Sequence, residues 1–427
     1  MIQNFEELAV NEPRRDALSI AEAGFEAINT EKVVRCKVQV VSGELNIADK
    51  IFKIAGRNVF YVGIGKCAVT AGRAIEKILG DVFTSGVALD VSDINPDSGS
   101  KIEVHLGTHP LPSEANVAGS KRILEFLAGK SENDLVIMVI SGGGSTLLSL
   151  SEVPMTFHEE SELFKQLTNK GAPIQDLNTV RKHLSRARGG ALAVAAYPAE
   201  VISLVVSDVP NDDIETVASG PTVLDSSTVA DAQAILAKYG ITAETNIQFI
   251  ETQKDEKYFK RVTNILLLSN QDALSAMREE ATLRGYSATV VDSHFTGETS
   301  DIGRAIVEKL HSSSAKTAFL YAGESTVTIS AGGGTGGRNQ EMALSALEYL
   351  KHDELILPFA SDGHDNTEHA GAIADAETRA HAREKNLSIE EHLHAHSSYD
   401  FFKSSGDALI TGYTGSNVSD LVIALKK

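Results

Sequence analysis

Three glycine-rich stretches stand next to cationic or hydroxyl side chains, and each could hold a phosphate group. They read GIGKCA at residues 63–68, SGGGST at residues 141–146 and GGGTGGRNQE at residues 332–341. Glycine at this density costs conformational entropy on folding, so an unconstrained loop explains it poorly. Glycine lets a ligand come close to backbone N–H groups, and N–H groups at a helix start attract phosphate. We therefore expect three anion-binding loops.

A cation accompanies the first and the third glycine stretch. Lys66 stands at the turn after a predicted strand, where its ammonium group can reach a phosphate as a point charge. Arg338 stands where the third glycine stretch gives way to a helix, and its guanidinium can clamp a phosphate or a carboxylate bidentately. The residues that we expect to hold phosphate groups are Gly63, Gly65, Ser141, Gly142, Gly143, Gly144, Ser145, Gly333, Gly334, Gly336, Gly337 and Asn339.

Each glycine stretch also has a plainer interpretation. All three could be structural turns, and GIGKCA in addition fits the G-x-G-x-x-A fingerprint of dinucleotide-binding proteins, with Asp90 as the acidic residue further on. SGGGST is not a Walker A loop, because no Gly-Lys-Ser/Thr follows at the required spacing. It is not a nucleophile elbow either, because Ser145 lacks the closing glycine.

Two Ser-Asp pairs follow predicted strands, at the strand ends where ligands of α/β proteins collect. Asp208 follows VISLVVS, and Asp362 follows LILPFAS. Carboxylate oxygens are suitable ligands for Mg²⁺, although aspartate beside glycine or proline is also ordinary turn chemistry. Together with the glycine stretches, the two carboxylates indicate a nucleotide and a magnesium ion.

The remaining candidates are more weakly indicated. Residues 181–190, RKHLSRARGG, concentrate positive charge, so Arg181 or a neighbour could hold a substrate carboxylate, or the segment could be a solvated helix face. Glu114 could reach a ligand or cap the following helix. The HLHAH stretch at 392–396 and Cys67 are expected to be a surface histidine cluster and a small buried residue.

Strand-like and helix-like patterns alternate along the chain. The continuous apolar run LVIMVI at 135–140 predicts a buried strand, and a helix is predicted near 68–79 and another ending at Gly189. Such alternation is typical of a mostly parallel sheet covered on both faces. We expect an α/β protein with a Rossmann-like N-terminal domain over 1–235 and a smaller mixed-sheet α/β domain over 236–427, with the active site in a cleft between them.

Composition excludes several classes of function. The chain has 427 residues, a net charge of −19 and two cysteines. The negative charge argues against nucleic acid or an anionic membrane surface as partner, and the longest apolar run is far shorter than the roughly 20 residues of a membrane helix. The few cysteines and the missing export signal are consistent with a cytoplasmic protein.

In series, the motifs resemble the glycerate 2-kinase family, the class II glycerate kinases with a C-terminal MOFRL domain. The resemblance covers about residues 15 to 425. The blocks that carry it are GIGK, GTHPLPSEA, ISGGGSTLL, LNTVRKHLSRARGG, SDVPNDD with ASGPT, GGGTGGRNQEMAL, SDGHDN and TGYTGSNVSDL. Two loops depart from the family pattern: the stretch 364–369 is one residue shorter, and Tyr413 replaces a proline.

The resemblance implies phosphorylation of D-glycerate to 2-phosphoglycerate, with ATP and Mg²⁺. We expect a monomer or homodimer. The resemblance also implies that Lys66 and Arg338 are the catalytic cations, and we expect Asp208 and Asp362 to hold the metal and Arg181 and Glu114 to bind substrate. Direct phosphoryl transfer needs positioning and charge neutralisation more than covalent help. Two alternatives stay open: an NAD-dependent 2-hydroxy acid dehydrogenase or hydroxypyruvate reductase that uses GIGKCA, and a non-catalytic nucleotide or sugar-phosphate sensor.

Overall fold

The computed structural model describes residues 1–93, 97–151, 155–209, 212–241, 247–329 and 333–427. The strands in chain order are β1 (Val38–Val41), β2 (Glu44–Ile47), β3 (Lys50–Lys53), β4 (Val59–Ile64), β5 (Phe83–Asp90), β6 (Ile102–Leu106), β7 (Leu135–Ile140), β8 (Glu200–Val206), β9 (Val262–Leu268), β10 (Ser287–Glu298), β11 (Thr317–Thr326), β12 (Glu354–Ala360), β13 (Gly371–Ala372), β14 (Ala408–Leu409) and β15 (Asp420–Lys426). The helices are α1 (Phe5–Leu8), α2 (Glu12–Ala27), α3 (Thr30–Lys37), α4 (Ala68–Leu79), α5 (Glu114–Leu127), α6 (Gly144–Leu147), α7 (Phe157–Asn169), α8 (Ile174–Lys182), α9 (Ala191–Ala196), α10 (Val229–Lys238), α11 (Asn270–Leu283), α12 (Thr299–His311), α13 (Arg338–Leu347), α14 (Ala376–Glu384), α15 (Ile389–His394) and α16 (Ser398–Ser405).

The chain forms two compact units. The parallel-sheet unit comprises residues 30–208 and 212–267, and the mixed-sheet unit comprises residues 1–29 and 268–427. Both units are α/β, which confirms the predicted fold class. No helix in the described part of the chain is both long and apolar enough to cross a membrane.

The parallel-sheet unit is built on six strands in the order β6-β5-β4-β7-β8-β9. The pairs β4–β5, β4–β7, β5–β6 and β7–β8 are all parallel. Strand β7 is buried at every residue, because helices cover both faces of such a sheet. The strand order reverses between β4 and β7, and ligands of doubly wound folds bind at the carboxyl ends of the strands beside that point.

The mixed-sheet unit has six strands in the order β10-β11-β15-β12-β13-β14. Strands β10 and β11 are parallel, whereas β15 lies antiparallel between β11 and β12. Asp420, the first residue of β15, pairs with Gly323 on one side and with Ala360 on the other. The loops after β11 and β12 therefore start at the same edge of the sheet as Asp420.

The two compact units divide the chain differently from the predicted domain boundary at residue 235, in two places. The N-terminal helices α1 and α2 pack with the C-terminal half, because the buried Arg14 donates to Asp375 at 2.6 Å and to Asp407 at 2.8 Å. Residues 236–267 stay with the N-terminal half, because β9 extends the parallel sheet beside β8. Sequence-distant ion pairs of this kind leave no local pattern in the sequence.

Candidate functional site

The first and second glycine stretches lie side by side at the point where the strand order of the parallel sheet reverses. The N–H of Lys66 donates to the carbonyl of Gly142 at 3.0 Å, and the N–H of Ser141 donates to the carbonyl of Ile64 at 2.9 Å. The Ser141 hydroxyl is buried and also donates to Ile64, at 3.2 Å. The Ser141 side chain therefore joins the two loops.

Gly142 and Gly143 present the N–H groups that the sequence led us to expect. Within the described ranges, neither N–H has a hydrogen-bond acceptor. Gly143 has a φ of +80°, and a Cβ there would lie 3.3 Å from Cγ and 3.6 Å from Cε of Lys66. The Lys66 side chain thus runs along the glycine loop. Unbonded N–H groups beside an ammonium group form a site that suits an anion.

Gly65 is a position where only glycine fits. Its φ is +111°, and a Cβ would lie 2.5 Å from the carbonyl oxygen of Ser141 and 2.8 Å from that of Gly142. The neighbouring Gly63 is constrained by its own helix, because a Cβ would lie 2.9 Å from the Ala68 carbonyl oxygen at the start of α4. Gly65 therefore lets the two loops pack against each other, whereas Gly63 lets α4 start close to β4.

We expect Gly65→Ala to separate the two loops and to lower both stability and activity. The matched control is Gly129→Ala, which also has a positive φ, of +77°, but no atom within 4 Å of its added Cβ. The control is expected to cost about 1 kcal/mol of unfolding free energy from backbone strain alone. Gly65→Ala should cost clearly more in urea unfolding, and equal costs would show that the contact with Ser141 is unimportant.

Ser145 belongs to a chain of hydrogen-bonded polar side chains. Its Oγ lies 3.2 Å from Oγ of Ser219, and the Ser219 hydroxyl donates to Oδ1 of Asn178 at 2.9 Å. Nδ2 of Asn178 donates to the carbonyl of Thr216 at 3.3 Å. Ser219 is fully buried and has a φ of +60°. Ser219 lies in the ASGPT block, but no local pattern in the sequence indicates a role for its hydroxyl.

The basic segment 181–190 does not form one cationic surface. Arg188 is buried and donates to the carboxylate of Glu160 at 2.5 Å and to the carbonyl of Ser145 at 2.7 Å. Burial acts to raise the pKa of Glu160, but Arg188 and Ser151 outweigh it and hold the pKa below its usual range. Arg188, which sequence reasoning did not single out, thus fixes the backbone of the second glycine stretch.

Arg181, the predicted substrate-binding residue, lies with its guanidinium carbon 4.6 Å from the ring centre of Phe164. Burial, with the nearby Arg188 as second cause, lowers the pKa of Arg181 to about 10. Among the residues that the structure describes, it has no hydrogen-bond or ion-pair partner. A half-buried guanidinium of this kind is available to a carboxylate.

The predicted substrate residue Glu114 is exposed at the first position of α5. The helix start is instead held by Asn116, whose Oδ1 accepts from the N–H of Thr108 at 2.8 Å and of Ser113 at 3.2 Å. Nδ2 of Asn116 also donates to the carbonyl of Thr146 at 3.1 Å. Asn116 therefore ties the 107–114 loop to the second glycine stretch, and Glu114 is left for another role.

In the mixed-sheet unit, a carboxylate already occupies the helix start that follows the third glycine stretch. Asp365 accepts from the N–H of Asn339 at 3.1 Å and of Gln340 at 2.8 Å, and both side-chain amides donate to it as well. Gly337 makes room for Asp365, because a Cβ at residue 337 would overlap its carboxyl group. The Asn339 donors, which we expected to meet phosphate, therefore meet Asp365 here.

The other glycines of the third stretch lie against the segment after α15. The N–H of Gly334 donates to the carbonyl of Ala395 at 2.7 Å, and a Cβ at Gly336 would overlap the Ser398 hydroxyl. Gly333 is exposed, and Gly332 lies outside the described residues. In the HLHAH stretch, Nδ1 of His396 lies 3.0 Å from a carboxylate oxygen of Glu341. The stretch therefore supports the glycine loop.

Arg338 is held by two carboxylates. Its Nε donates to Asp420 at 2.5 Å and its Nη2 at 3.2 Å, while Nη1 donates to Glu324. Asp420 is 2% exposed and Glu324 is 60% exposed. Burial acts to lower the pKa of Arg338, but Asp420 and Glu324 outweigh it and raise the pKa above its usual range. Arg338 stays charged and is firmly held on its Asp420 side.

The contribution of Asp365 to stability is expected to fall as the pH rises from about 4 to about 6. Burial, with the nearby Asp420 carboxylate as second cause, raises the pKa of Asp365 to about 6. The unfolded-state pKa is about 3.9, so in this window the native protein binds more protons than the unfolded chain and loses stability as protons leave.

Urea unfolding of wild type and Asp365→Asn between pH 4 and pH 7 measures this effect. The unfolding free energy of wild type minus that of the variant should fall by about 1–3 kcal/mol across the window. The control is Asp301→Asn, which removes an exposed carboxyl group of α12. It measures how much the pH dependence of the unfolding free energy changes when an exposed carboxyl group is lost. A difference that rises with pH would contradict the prediction.

The two predicted metal ligands belong to different units. Asp208 follows β8, and Asp362 follows β12, where its Oδ1 accepts from the N–H of His364 at 3.0 Å. Across the described ranges, no group of three or more His, Cys, Asp or Glu residues could hold a metal ion. Mg²⁺ in phosphoryl-transfer sites usually takes one or two carboxylates, with phosphates and water as further ligands, and each aspartate separately fits that mode.

Comparisons with known proteins agree with the resemblance seen in the sequence. Residues 16–251 match a family described as a domain of unknown function, DUF4147, and residues 317–420 match the MOFRL family. A glycerate 2-kinase of Pyrococcus horikoshii is 35% identical over 96% of this chain and 97% of its own. A D-glycerate 2-kinase of Thermotoga maritima is 32% identical over 92% of this chain and 97% of its own.

One solved structure and one relative with a different name are also similar to this chain. The crystal structure of a glycerate kinase from Thermotoga maritima superposes with a TM-score of 0.80 at 31% identity, over 97% of this chain and 99% of that one. A protein of Agrobacterium vitis whose name marks it as a candidate hydroxypyruvate reductase is 36% identical over 84% of this chain and 85% of its own.

Proposed function

The chain belongs to the glycerate kinase family, and we propose that it transfers the terminal phosphoryl group of ATP directly to the 2-hydroxyl of D-glycerate, giving 2-phosphoglycerate. The observation that carries the proposal is the anion site of the parallel-sheet unit. There the unbonded N–H groups of Gly142 and Gly143 lie along the side chain of Lys66. Phosphoryl transfer depends mainly on such prearranged charge and on positioning.

In the parallel-sheet unit, we assign phosphate binding to the backbone of residues 141–145 and charge neutralisation to Lys66. Arg181 binds the glycerate carboxylate, because a half-buried guanidinium without a carboxylate of its own gains most from an anionic ligand. Glu114 remains a second substrate residue in this proposal. Arg188 acts indirectly, since it holds the Ser145 carbonyl at 2.7 Å.

In the mixed-sheet unit, we assign the second catalytic cation to Arg338. Gly333, Gly336 and Gly337 add backbone contacts to phosphate, whereas the N–H of Gly334 already donates to Ala395. Asn339 is held in place by Asp365. That both units act on one substrate stays a prediction. Lys66→Ala tests the parallel-sheet unit and Arg338→Ala tests the mixed-sheet unit.

Magnesium is proposed as the metal, with Asp208 or Asp362 as its protein ligand. A bound magnesium ion would neutralise charge on the phosphate oxygens. The aspartates would supply one or two oxygen ligands, which is the number that nucleotide-bound Mg²⁺ requires. The cytoplasmic location and the monomeric or homodimeric state stay predictions.

The dehydrogenase alternative is disfavoured by the position of Asp90. In a dinucleotide-binding domain, the acidic residue after the second strand accepts from the ribose hydroxyl. Here Asp90 is 1% exposed, and its carboxylate accepts from the N–H of Val69 at 3.0 Å and of Val91 at 2.7 Å. Asp90 therefore serves the turn itself. Because one relative is named as a hydroxypyruvate reductase, reduction of hydroxypyruvate with NADH is assayed as well.

A coupled assay tests the proposal. Purified protein is incubated with D-glycerate, ATP and Mg²⁺, ADP release is followed, and phosphorus NMR locates the phosphate on the product. ADP release that requires glycerate, with phosphate on carbon 2, is the expected result. Phosphate on carbon 3 would keep the kinase and refute the assigned product.

Two other outcomes would favour the alternatives. Oxidation of NADH with hydroxypyruvate, without ADP release, would identify a reductase. Binding of ATP without turnover of any hydroxy acid would identify a nucleotide sensor. Omitting Mg²⁺, or adding a chelator, should abolish ADP release if the metal assignment is right.

A further inference from the structure

The proton of the Ser145 hydroxyl has a fixed direction. Nδ2 of Asn178 donates to the Thr216 carbonyl at 3.3 Å, and a reversed amide would place two acceptor oxygens against each other there. Oδ1 of Asn178 therefore faces Ser219. Because Oδ1 is only an acceptor, the Ser219 hydroxyl must donate its single proton to it, over 2.9 Å.

The direction of the next hydrogen bond follows. Ser219 has no second proton, so in the 3.2 Å contact between the two hydroxyls Ser145 is the donor and Ser219 the acceptor. Ser219 is fully buried and Asn178 is 4% exposed, so this part of the network is shielded from water. The Ser145 oxygen then presents only lone pairs on its remaining side.

The surroundings hold Ser145 and Ser219 in this arrangement. The Ser145 carbonyl is fixed by Arg188 at 2.7 Å. Ser219 and the preceding Ala218 have φ values of 60° and 51°, a left-handed conformation that is unfavourable for non-glycine residues and persists only where contacts impose it. The carbonyl of Ser219 accepts from the N–H of Gly189 at 3.0 Å.

We propose that the Ser145 oxygen accepts a hydrogen bond from the non-reacting hydroxyl of the hydroxy-acid substrate, and that Ser219 and Asn178 are positioning residues that set its polarity. This inference rests on the proposed function. Phosphate oxygens are acceptors, so they gain nothing from an oxygen that offers only lone pairs. The reacting hydroxyl must lose its proton, which a neutral serine oxygen accepts poorly, whereas a hydroxyl that stays protonated suits it.

The test compares D-glycerate with D-lactate, which keeps the 2-hydroxyl and lacks the 3-hydroxyl. Ser145→Ala is expected to lower the ratio of kcat/KM for glycerate over lactate about three- to tenfold, with KM for ATP unchanged. Ser219→Ala should lower the same ratio less than Ser145→Ala does, because the Ser145 proton loses its acceptor and the Ser145 oxygen is no longer held as an acceptor towards the substrate. Ser145→Thr keeps the oxygen and should keep most of the preference. Thr179→Ala, on the same helix as Asn178, is the control.

The possible outcomes distinguish failure of the proposed function from failure of the Ser145 proposal. A wild-type protein that does not phosphorylate glycerate would overturn the proposed function and this inference with it. Wild-type turnover with an unchanged ratio in Ser145→Ala would overturn the inference alone. A changed KM for ATP or a changed Mg²⁺ dependence, at a constant ratio, would overturn it in favour of metal-bound water or nucleotide. Thermal unfolding of each variant shows that the comparison is made on folded protein.

Discussion

Lys66→Ala is expected to lower kcat for glycerate phosphorylation at least about a hundredfold. The Lys66 side chain lies along Gly143, beside the unbonded N–H groups of the second glycine stretch. In the proposed mechanism, an ammonium group at that position would stabilise charge as it develops on the transferring phosphoryl group, without the reorganisation that water would need. Loss of that charge should therefore affect the rate much more than the folding of the protein.

The controls separate charge from position. Lys121→Ala removes a lysine that is 71% exposed on α5, and we expect it to leave kcat unchanged. Lys66→Arg keeps the charge in a larger planar group and should recover only part of the rate. Steady-state kinetics with a melting curve for each variant make the test. Near-normal turnover in Lys66→Ala would remove this residue from the mechanism.

Regular elements with continuous patterns could be predicted from the sequence. The apolar run at 135–140 is strand β7, and the helix predicted near 68–79 is α4, Ala68–Leu79. The helix expected to end at Gly189 instead ends at Lys182. There the chain leaves helical geometry because the N–H of Arg186 donates to the Leu150 carbonyl at 2.9 Å and Arg188 turns inward to Glu160. Tertiary contacts override local propensity in that segment.

The polar networks around the candidate site could not be predicted in this way. The sequence contains Asp362 and Asp365 in one short block, but nothing local indicates that Asp365 would cap α13 from 26 residues away. Likewise, Asn178 and Ser219 are separated by 41 residues. Glycine-rich stretches can be recognised from their composition. The buried residues that orient neighbouring side chains have no local sequence pattern that would identify them.

Arg338→Ala is expected to have the second large effect, on turnover and on stability together. The variant leaves the buried Asp420 without the guanidinium that meets it at 2.5 Å, and next to Asp365. Removing one member of a buried ion pair costs about 3–5 kcal/mol, so the free energy of unfolding should fall by that amount. Where the variant is still folded, kcat should be at least about a hundredfold lower.

Arg338 can serve catalysis although two carboxylates already hold it, because the two are unequal. Glu324 is 60% exposed, and an ion pair in solvent contributes only about 0–1 kcal/mol. In the proposed mechanism, a phosphoryl group would therefore replace Glu324 at Nη1, while the buried Asp420 keeps Nε and Nη2 in place. Glu324→Gln should then leave kcat within about threefold of wild type and lower KM for ATP slightly.

Two further variants complete the test of Arg338. Arg304→Ala breaks an exposed pair with Glu308 on α12 and should change neither stability nor rate. Arg338→Lys keeps a charge beside Asp420, so it should regain part of the stability, but it lacks the planar donors that bridge two acceptors and should stay slow. If Arg338→Ala lost stability and kept its kcat, Arg338 would be a structural partner of Asp420, and Lys66 would be the only catalytic cation of the mechanism.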